Sequence, residues 1–156
     1  MCPQLIYFSM EVTRHFTTAT FVVYEDNVLL HHHKKLGFWL PVGGHIDRDE
    51  IPEAAALREV QEECGLNVSF YWPETGLRFA DGIAEELIRP VHILLEDINE
   101  FHQHIDFIYY AKSSSPDFLP EDPDSQMRWV SFDEIDALEA PDNVKVLAKE
   151  ALGVYG

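Results

Sequence analysis

The stretch Gly44 to Leu66, GHIDRDEIPEAAALREVQEECGL, decides how this 156-residue chain is read. Pro52 suits the first turn of a helix, where its missing N–H would have had no intrahelical partner. Glu53 to Glu63 consists almost wholly of good helix formers, and Gly65 falls where a left-handed residue ends a helix. At 3.6 residues per turn, Ala56, Leu57, Val60 and Cys64 share one stripe, and Glu59, Glu62 and Glu63 fill an adjoining arc of roughly 100°. Like charges at i,i+4, as at Glu59 and Glu63, cost a helix roughly 0.2–0.5 kcal/mol, and more when half-buried against a sheet. A compensating positive group is therefore expected. Hard oxygen donors suit Mg²⁺ or Mn²⁺, ions that keep several waters and bridge to substrate phosphates. Arg58, one turn before Glu62 and able to reach back to Glu50, is placed to orient carboxylates. Acidic helix faces are usually just solvated. Gly43 and Gly44 weigh against that here, because glycines allow close backbone approach to whatever lies beside them.

Working outward, His15 to Tyr24 and Val28 to His33 are strand-like and joined by Glu25-Asp26-Asn27, which predicts a β-hairpin. Phe38 to Pro41 reads as a short strand running into a Gly43-Gly44 loop. Three further strands are expected at Leu66 to Trp72, Pro90 to Leu95 and Ile105 to Ala111, with a polar, His-containing connection between the last two. Ser113 to Ser125, rich in Ser, Pro and acidic residues, reads as an exposed loop able to overhang a site. Met127 to Val130 closes the strand list, Ser131 can cap a helix Phe132 to Leu138, and Asn143 to Leu152 forms a terminal helix. The pattern is α+β, a mixed β-sheet between helices, in one domain over residues 1–156.

Composition narrows the partners. With 28 acidic against 11 basic residues the formal charge is −17, so the far field repels polyanions; duplex nucleic acid and anionic membrane surfaces are poor candidate partners, and neither is expected. A small anion can still bind where a divalent cation reverses the local potential. No apolar run of about 18 residues occurs, and Met1-Cys2-Pro3-Gln4 does not resemble the start of a signal peptide, so a cytoplasmic protein is expected. Cys2 and Cys64 are too few for a disulfide framework and too isolated for a close zinc pair; reduced thiols are expected.

The acidic stretch resembles the box of the Nudix (MutT-like) hydrolases, G-x5-E-x7-R-E-U-x-E-E-x-G-U with U bulky and aliphatic. Gly44, Glu50, Arg58, Glu59, Val60, Glu62, Glu63, Gly65 and Leu66 match every specified position. At about 5–7% usage for each polar or glycine position, chance agreement is on the order of 10⁻⁹ per starting point. The likeness extends to Trp39-Leu40-Pro41-Val42-Gly43-Gly44-His45 and to Arg128-Trp129-Val130-Ser131 followed by Asp133-Glu134.

The resemblance implies an α/β/α sandwich and a Mg²⁺- or Mn²⁺-dependent pyrophosphohydrolase that cleaves the diphosphate linkage of a small nucleotide-like substrate. It implies Glu59 and Glu63 as principal metal carboxylates, Glu62 as a further ligand or water-orienting base, and the Gly43 carbonyl as a backbone ligand. Glu59, Glu62 and Arg58 make up the implied catalytic group. A further acidic group from outside the box is common in such proteins; Glu121 is the first choice here, ahead of Asp122 and Asp124. A homodimer is common in the family. Substrate-binding residues stay unassigned. The places where ADP-ribose and dinucleoside-polyphosphate subgroups carry a proline or a tyrosine hold Asp81, Gly82 and Ile83. Nucleoside triphosphates and nucleotide sugars stay open, as does a regulatory domain that binds nucleotide without turnover. An isoprenoid diphosphate isomerase would need a reactive cysteine in a separate motif, and Cys64 sits inside the box helix.

The remaining features read as structural. His31-His32-His33 lie on a strand whose alternation prevents three side chains from converging, and His102 with His104 find no third soft ligand nearby in sequence. Phe38, Trp39, Tyr71, Trp72 and Phe79 could stack on a base and Lys34, Lys35 or Arg78 could meet phosphates, although core packing explains most of the aromatics equally well.

Overall fold

A computed structural model describes residues 11–72 and 75–155; the readings of Met1 to Gln4, Cys2 among them, lie outside the described residues. Thr13–Tyr24 forms the long strand β1, exposed over its first four residues and covered on both faces from Thr17 onward, where β-branched and aromatic residues alternate. Glu25, with a left-handed φ of 49°, turns the chain into β2 (Asn27–His33). Val23 pairs antiparallel with Val28 and Tyr24 with Asn27, which is the hairpin expected.

β3 (Phe38–Leu40) pairs with β2, and the chain then forms β4 (Val42–His45) antiparallel to β1, with Gly43 opposite Ala19. Gly43 and Gly44 therefore belong to a strand and not to the loop expected. A Cβ on Gly43 would lie 2.0 Å from the Thr18 carbonyl oxygen, so a side chain there would prevent this close approach of the two strands.

The box helix α1 (Pro52–Cys64) ends at Gly65, whose φ is 65° and whose N–H donates to the Gln61 carbonyl. Its buried residues are Ala55, Ala56, Val60 and Cys64, and Leu57, expected on the buried stripe, is 43% exposed. The helix is rotated so that Glu59, not Leu57, turns toward the sheet. Gly44 makes room for this, since a Cβ there would meet Glu59 Oε1 at 2.4 Å.

β5 (Val68–Phe70), β6 (His92–Asn99), β7 (His102–Ser113) and β8 (Met127–Ser131) complete the sheet. β7 begins earlier than expected and takes in His102 and His104, because it runs parallel to β1 from Thr13 against His102 to Val23 against Lys112. All other pairings are antiparallel, in the order β3-β2-β1-β7-β5 with β4 on β1, β6 on β7 and β8 on β2. The sheet is mixed, as expected.

Alternation along β1 builds two cores. Phe21 and Val23 pack with Val28, Ile108 and Tyr110 against Ile135 of α2 (Phe132–Ile135) and Val144, Leu147, Ala148 and Ala151 of α3 (Asp142–Tyr155). Val22 packs on the opposite face with Leu29, Val42 and the α1 residues Val60 and Cys64. This is the α/β/α sandwich. α2 is shorter than expected: Ala137 and Leu138 donate to the carbonyls three residues back, a tightening that turns the chain before Pro141. The segment 114–126 has no regular structure, as expected, yet it is anchored. Leu119 N–H donates to Cys64 O at 2.8 Å and Glu121 N–H to Glu63 O at 3.3 Å, satisfying carbonyls at the end of α1, and Phe118 packs on the second core. Among the described residues no helix is long and apolar enough to cross a membrane.

Candidate active site

Arg58 organises the carboxylates of α1. Its Nε donates to Glu50 Oε1 at 2.9 Å and its Nη2 to Glu50 Oε2 at 3.0 Å, a two-point grip. Nη1 donates to Glu59 Oε1 at 2.8 Å and to Glu62 Oε2 at 3.1 Å, and Nη2 also reaches the His45 carbonyl at 3.0 Å. The single cation expected from the spacing thus joins the loop before α1, the end of β4 and two turns of the helix. These bonds hold Glu50 below the usual carboxylate range and the guanidinium above its own.

The three helix carboxylates sit in different surroundings. Glu59 is only 14% exposed and lies over Gly44, whereas Glu62 is 52% exposed and open to solvent. Glu63 accepts the Gly43 N–H at 3.3 Å and lies 3.8 Å from His31 Nε2. Burial, with repulsion from Glu59, Glu121 and Glu62, pushes its carboxyl up to about 7 despite the Gly43 bond. Negative charge is thus under-compensated here, and the donors are hard oxygens, so the residues fit a divalent cation of the Mg²⁺ class. The group of Gly43 that faces Glu63 is its N–H.

Glu121, through its backbone bond to Glu63 and its charge, belongs to the same neighbourhood. Asp122 instead pairs with Lys34 at 2.7 Å, and its Oδ1 accepts the Asp124 N–H. Lys34, considered as a phosphate contact, is engaged there. Trp39 packs on the first core under the Arg128 guanidinium, 5.1 Å from its centroid, and Phe79 lies exposed in the long β5–β6 connection.

A cavity of about 910 Å³ opens beside Gly43, Gly44 and Glu63 and runs back to Val144 and Leu147 of α3. Its wall is mainly apolar, with Asp106, Thr17 and Glu96 among the polar exceptions. Asp106 is buried, accepts Thr17 Oγ1–H at 2.8 Å, and is held above the usual carboxylate range by burial. Glu96 accepts the Asn143 amide at 2.9 Å. Sequence reasoning missed Asp106; the available signal was an acidic residue on the inward phase of an otherwise apolar strand. His31 and His33 also line the cavity, while His32 points the other way against Trp39, as strand alternation required.

A family model described as NUDIX domain matches residues 13–149. The chain belongs to the Nudix family. A solved Nudix-family hydrolase from Clostridium perfringens is 39% identical, covering 93% of this chain and 100% of that one, with a TM-score of 0.80. The NUDIX domain of Shewanella oneidensis NrtR, solved with ADP ribose, is 15% identical over 92% of this chain and 90% of that one, with a TM-score of 0.65, a likeness of fold alone. An 8-oxo-dGTP diphosphatase of Proteus vulgaris is 52% identical over 33 residues, which are 21% of this Nudix chain and 30% of that protein.

Proposed function

We propose that this chain is a pyrophosphohydrolase that uses Mg²⁺ or Mn²⁺ to cleave the diphosphate linkage of a nucleotide-like molecule, residues 1–156 acting as one domain. The observation that carries the reading is the Arg58 bracket, which gathers Glu50, Glu59 and Glu62 around one cation beside the half-buried Glu63. Glu59 and Glu63 would hold the metal, with Glu62 a further ligand or a water-orienting base, and the Gly43 carbonyl would complete the set. When bound, the ion supplies Lewis-acid polarisation of the phosphoryl oxygens and offsets charge on the leaving phosphate.

The chain's own groups do the rest. Arg58 fixes the rotamers of Glu59 and Glu62 from the side, leaving the remaining carboxylate oxygens to face the substrate. Glu62, the most solvent-open of the three, would in the second of its two roles orient the attacking water, the general base itself staying unassigned. Glu121 stands by as a further acidic group. The cavity is large enough for a nucleoside-sized moiety, since small-ligand pockets run to roughly 300–1,000 Å³, and Asp106 and Glu96 give its apolar wall points for hydrogen bonding. A nucleoside triphosphate is the favoured substrate, supported by the short stretch shared with the 8-oxo-dGTP diphosphatase. A nucleotide sugar or ADP-ribose is the alternative. Cys64, buried and free among the described residues, fits a reducing, cytoplasmic setting, and a homodimer is the expected assembly.

The test is phosphate or pyrophosphate release from nucleoside triphosphates, including oxidised ones, nucleotide sugars, ADP-ribose and dinucleoside polyphosphates. Wild type is compared with Glu62→Gln and Glu63→Gln, with and without Mg²⁺ or Mn²⁺. Metal-dependent turnover lost in both variants supports the hydrolase. Ligand binding without turnover across the panel would identify a regulatory module instead.

A further inference from the structure

The parallel pairing of β1 with β7 sets His15 directly against His104, and the antiparallel pairing of β4 with β1 brings His45 opposite Thr17 on the other side. The ligand nitrogens of His15, His45 and His104 all lie within 4.8 Å of one another. His104 Nε2 is buried with no hydrogen-bond partner, an expensive state for a ring nitrogen beside two other imidazoles. His102, two residues before His104, places its Nε2 3.0 Å from His15 Nδ1.

We propose that His15, His45 and His104 form a second metal site, built of imidazoles and taking a borderline divalent transition ion with Zn²⁺ as its representative. Three protein nitrogens with one open position is an established zinc arrangement, and imidazole donors select Zn²⁺, Ni²⁺ or Cu²⁺ over Mg²⁺. At Zn–N distances of about 2.0–2.1 Å a tetrahedral ion brings nitrogens to roughly 3.3 Å apart, so the rings need only close up modestly from where they stand. In the tautomer in which His15 Nδ1–H donates to His102 Nε2, His15 Nε2 keeps its lone pair for the ion, which would make His102 a positioning residue. The ion would clamp the ends of β1, β4 and β7 together. It would also fix His45, whose carbonyl accepts from Arg58, so the clamp adjoins the carboxylate site without sharing its donors.

The experiment is equilibrium dialysis of the untagged full chain against Zn²⁺ in millimolar Mg²⁺, with Co²⁺ replacing Zn²⁺ for the d–d absorption of a nitrogen-bound tetrahedral ion. About one Zn²⁺ per chain is expected. His104→Ala and His15→Asn should each weaken binding by about 100-fold or more, because loss of an outer partner alone costs roughly 10–100-fold. His102→Ala should fall in that lower range, and Glu63→Gln should leave affinity within about twofold. Should His104→Ala fail to fold by circular dichroism, His15→Asn, on an exposed residue, decides the matter. Absence of stoichiometric Zn²⁺ binding, or binding that follows Glu63 and ignores the histidines, overturns the site.

Discussion

Arg58 and Glu50 meet through two parallel bonds, Nε to Oε1 at 2.9 Å and Nη2 to Oε2 at 3.0 Å, across the turn that leads into α1. Glu50 Oε2 also accepts the Asp47 N–H at 3.2 Å, so one planar pair fixes both the loop and the helix that carries the carboxylates. A planar fork is needed for this, and an ammonium cannot reproduce it.

Arg58→Lys is therefore expected to behave almost like Arg58→Ala. Each should lower stability by about 1.5–3 kcal/mol, the range for hydrogen bonds to charged groups. Turnover should fall by roughly 10²–10³, as when a single preorganised electrostatic contact is lost. Urea unfolding and steady-state kinetics on the same preparations check both. If Arg58→Lys kept wild-type kcat, the fork geometry would be irrelevant.

Gly43 and Gly44 are adjacent but should fail differently. A Cβ on Gly43 meets the Thr18 backbone oxygen at 2.0 Å, and neither strand can move without breaking the β1–β4 pairing. Gly43→Ala should cost more than about 3 kcal/mol or prevent folding. At Gly44 the obstacle is the tip of Glu59, which can rotate away. Gly44→Ala should stay folded, with a melting temperature within a few degrees of wild type, and lose metal affinity instead. Thermal melts with a Mg²⁺ titration of activity separate the two.

The box helix, its glycine cap and the role of Arg58 were legible in the sequence because they depend on contacts within about twenty residues, which spacing alone can place. The β1–β2 hairpin was legible from its Thr, Phe and Val content and the turn between the strands, and the opposite facing of His32 from alternation. Leu57 was misplaced because an apolar residue at the edge of a stripe looks buried until the sheet is known. What decides its exposure is that Gly44, on a different strand, leaves room for Glu59. The histidine cluster and Asp106 were invisible for the same kind of reason. His15 and His104 are 89 residues apart by number and meet only through the parallel β1–β7 register. No local periodicity encodes that pairing.

Glu63 gives a pH signature. Its carboxyl ordinarily titrates near 4.5, and in the metal-free fold burial and three neighbouring carboxylates raise it to about 7. A carboxyl raised by folding contributes stability that is fully present below its unfolded pKa and lost as pH rises through the folded one. Metal-free protein should therefore lose stability between about pH 4.5 and 7, and Glu63→Gln should flatten that part of the curve. Saturating Mg²⁺ should restore stability at pH 7 and above in wild type and do so less in the variant. Melting curves at several pH values, with EDTA or with Mg²⁺, provide the check; a wild-type profile unchanged by Glu63→Gln would refute the assignment.

Asp106 tests whether the cavity receives the substrate. Its carboxylate is buried, accepts one hydroxyl bond from Thr17 and lies on the wall of the cavity that Glu63 of α1 also lines. Burial raises its pKa, so, as for Glu63, its contribution to stability declines as pH rises. Asn is nearly the same shape and can still accept from Thr17, so Asp106→Asn should fold and be no less stable at pH 8. If the group hydrogen-bonds a substrate moiety remote from the diphosphate, the variant loses binding common to ground and transition states. KM should then rise by about tenfold, the equivalent of about 1.4 kcal/mol, with kcat little changed. A fall in kcat at constant KM would instead tie Asp106 to the reaction itself, and unchanged kinetics on a substrate that turns over would remove the cavity from the binding site.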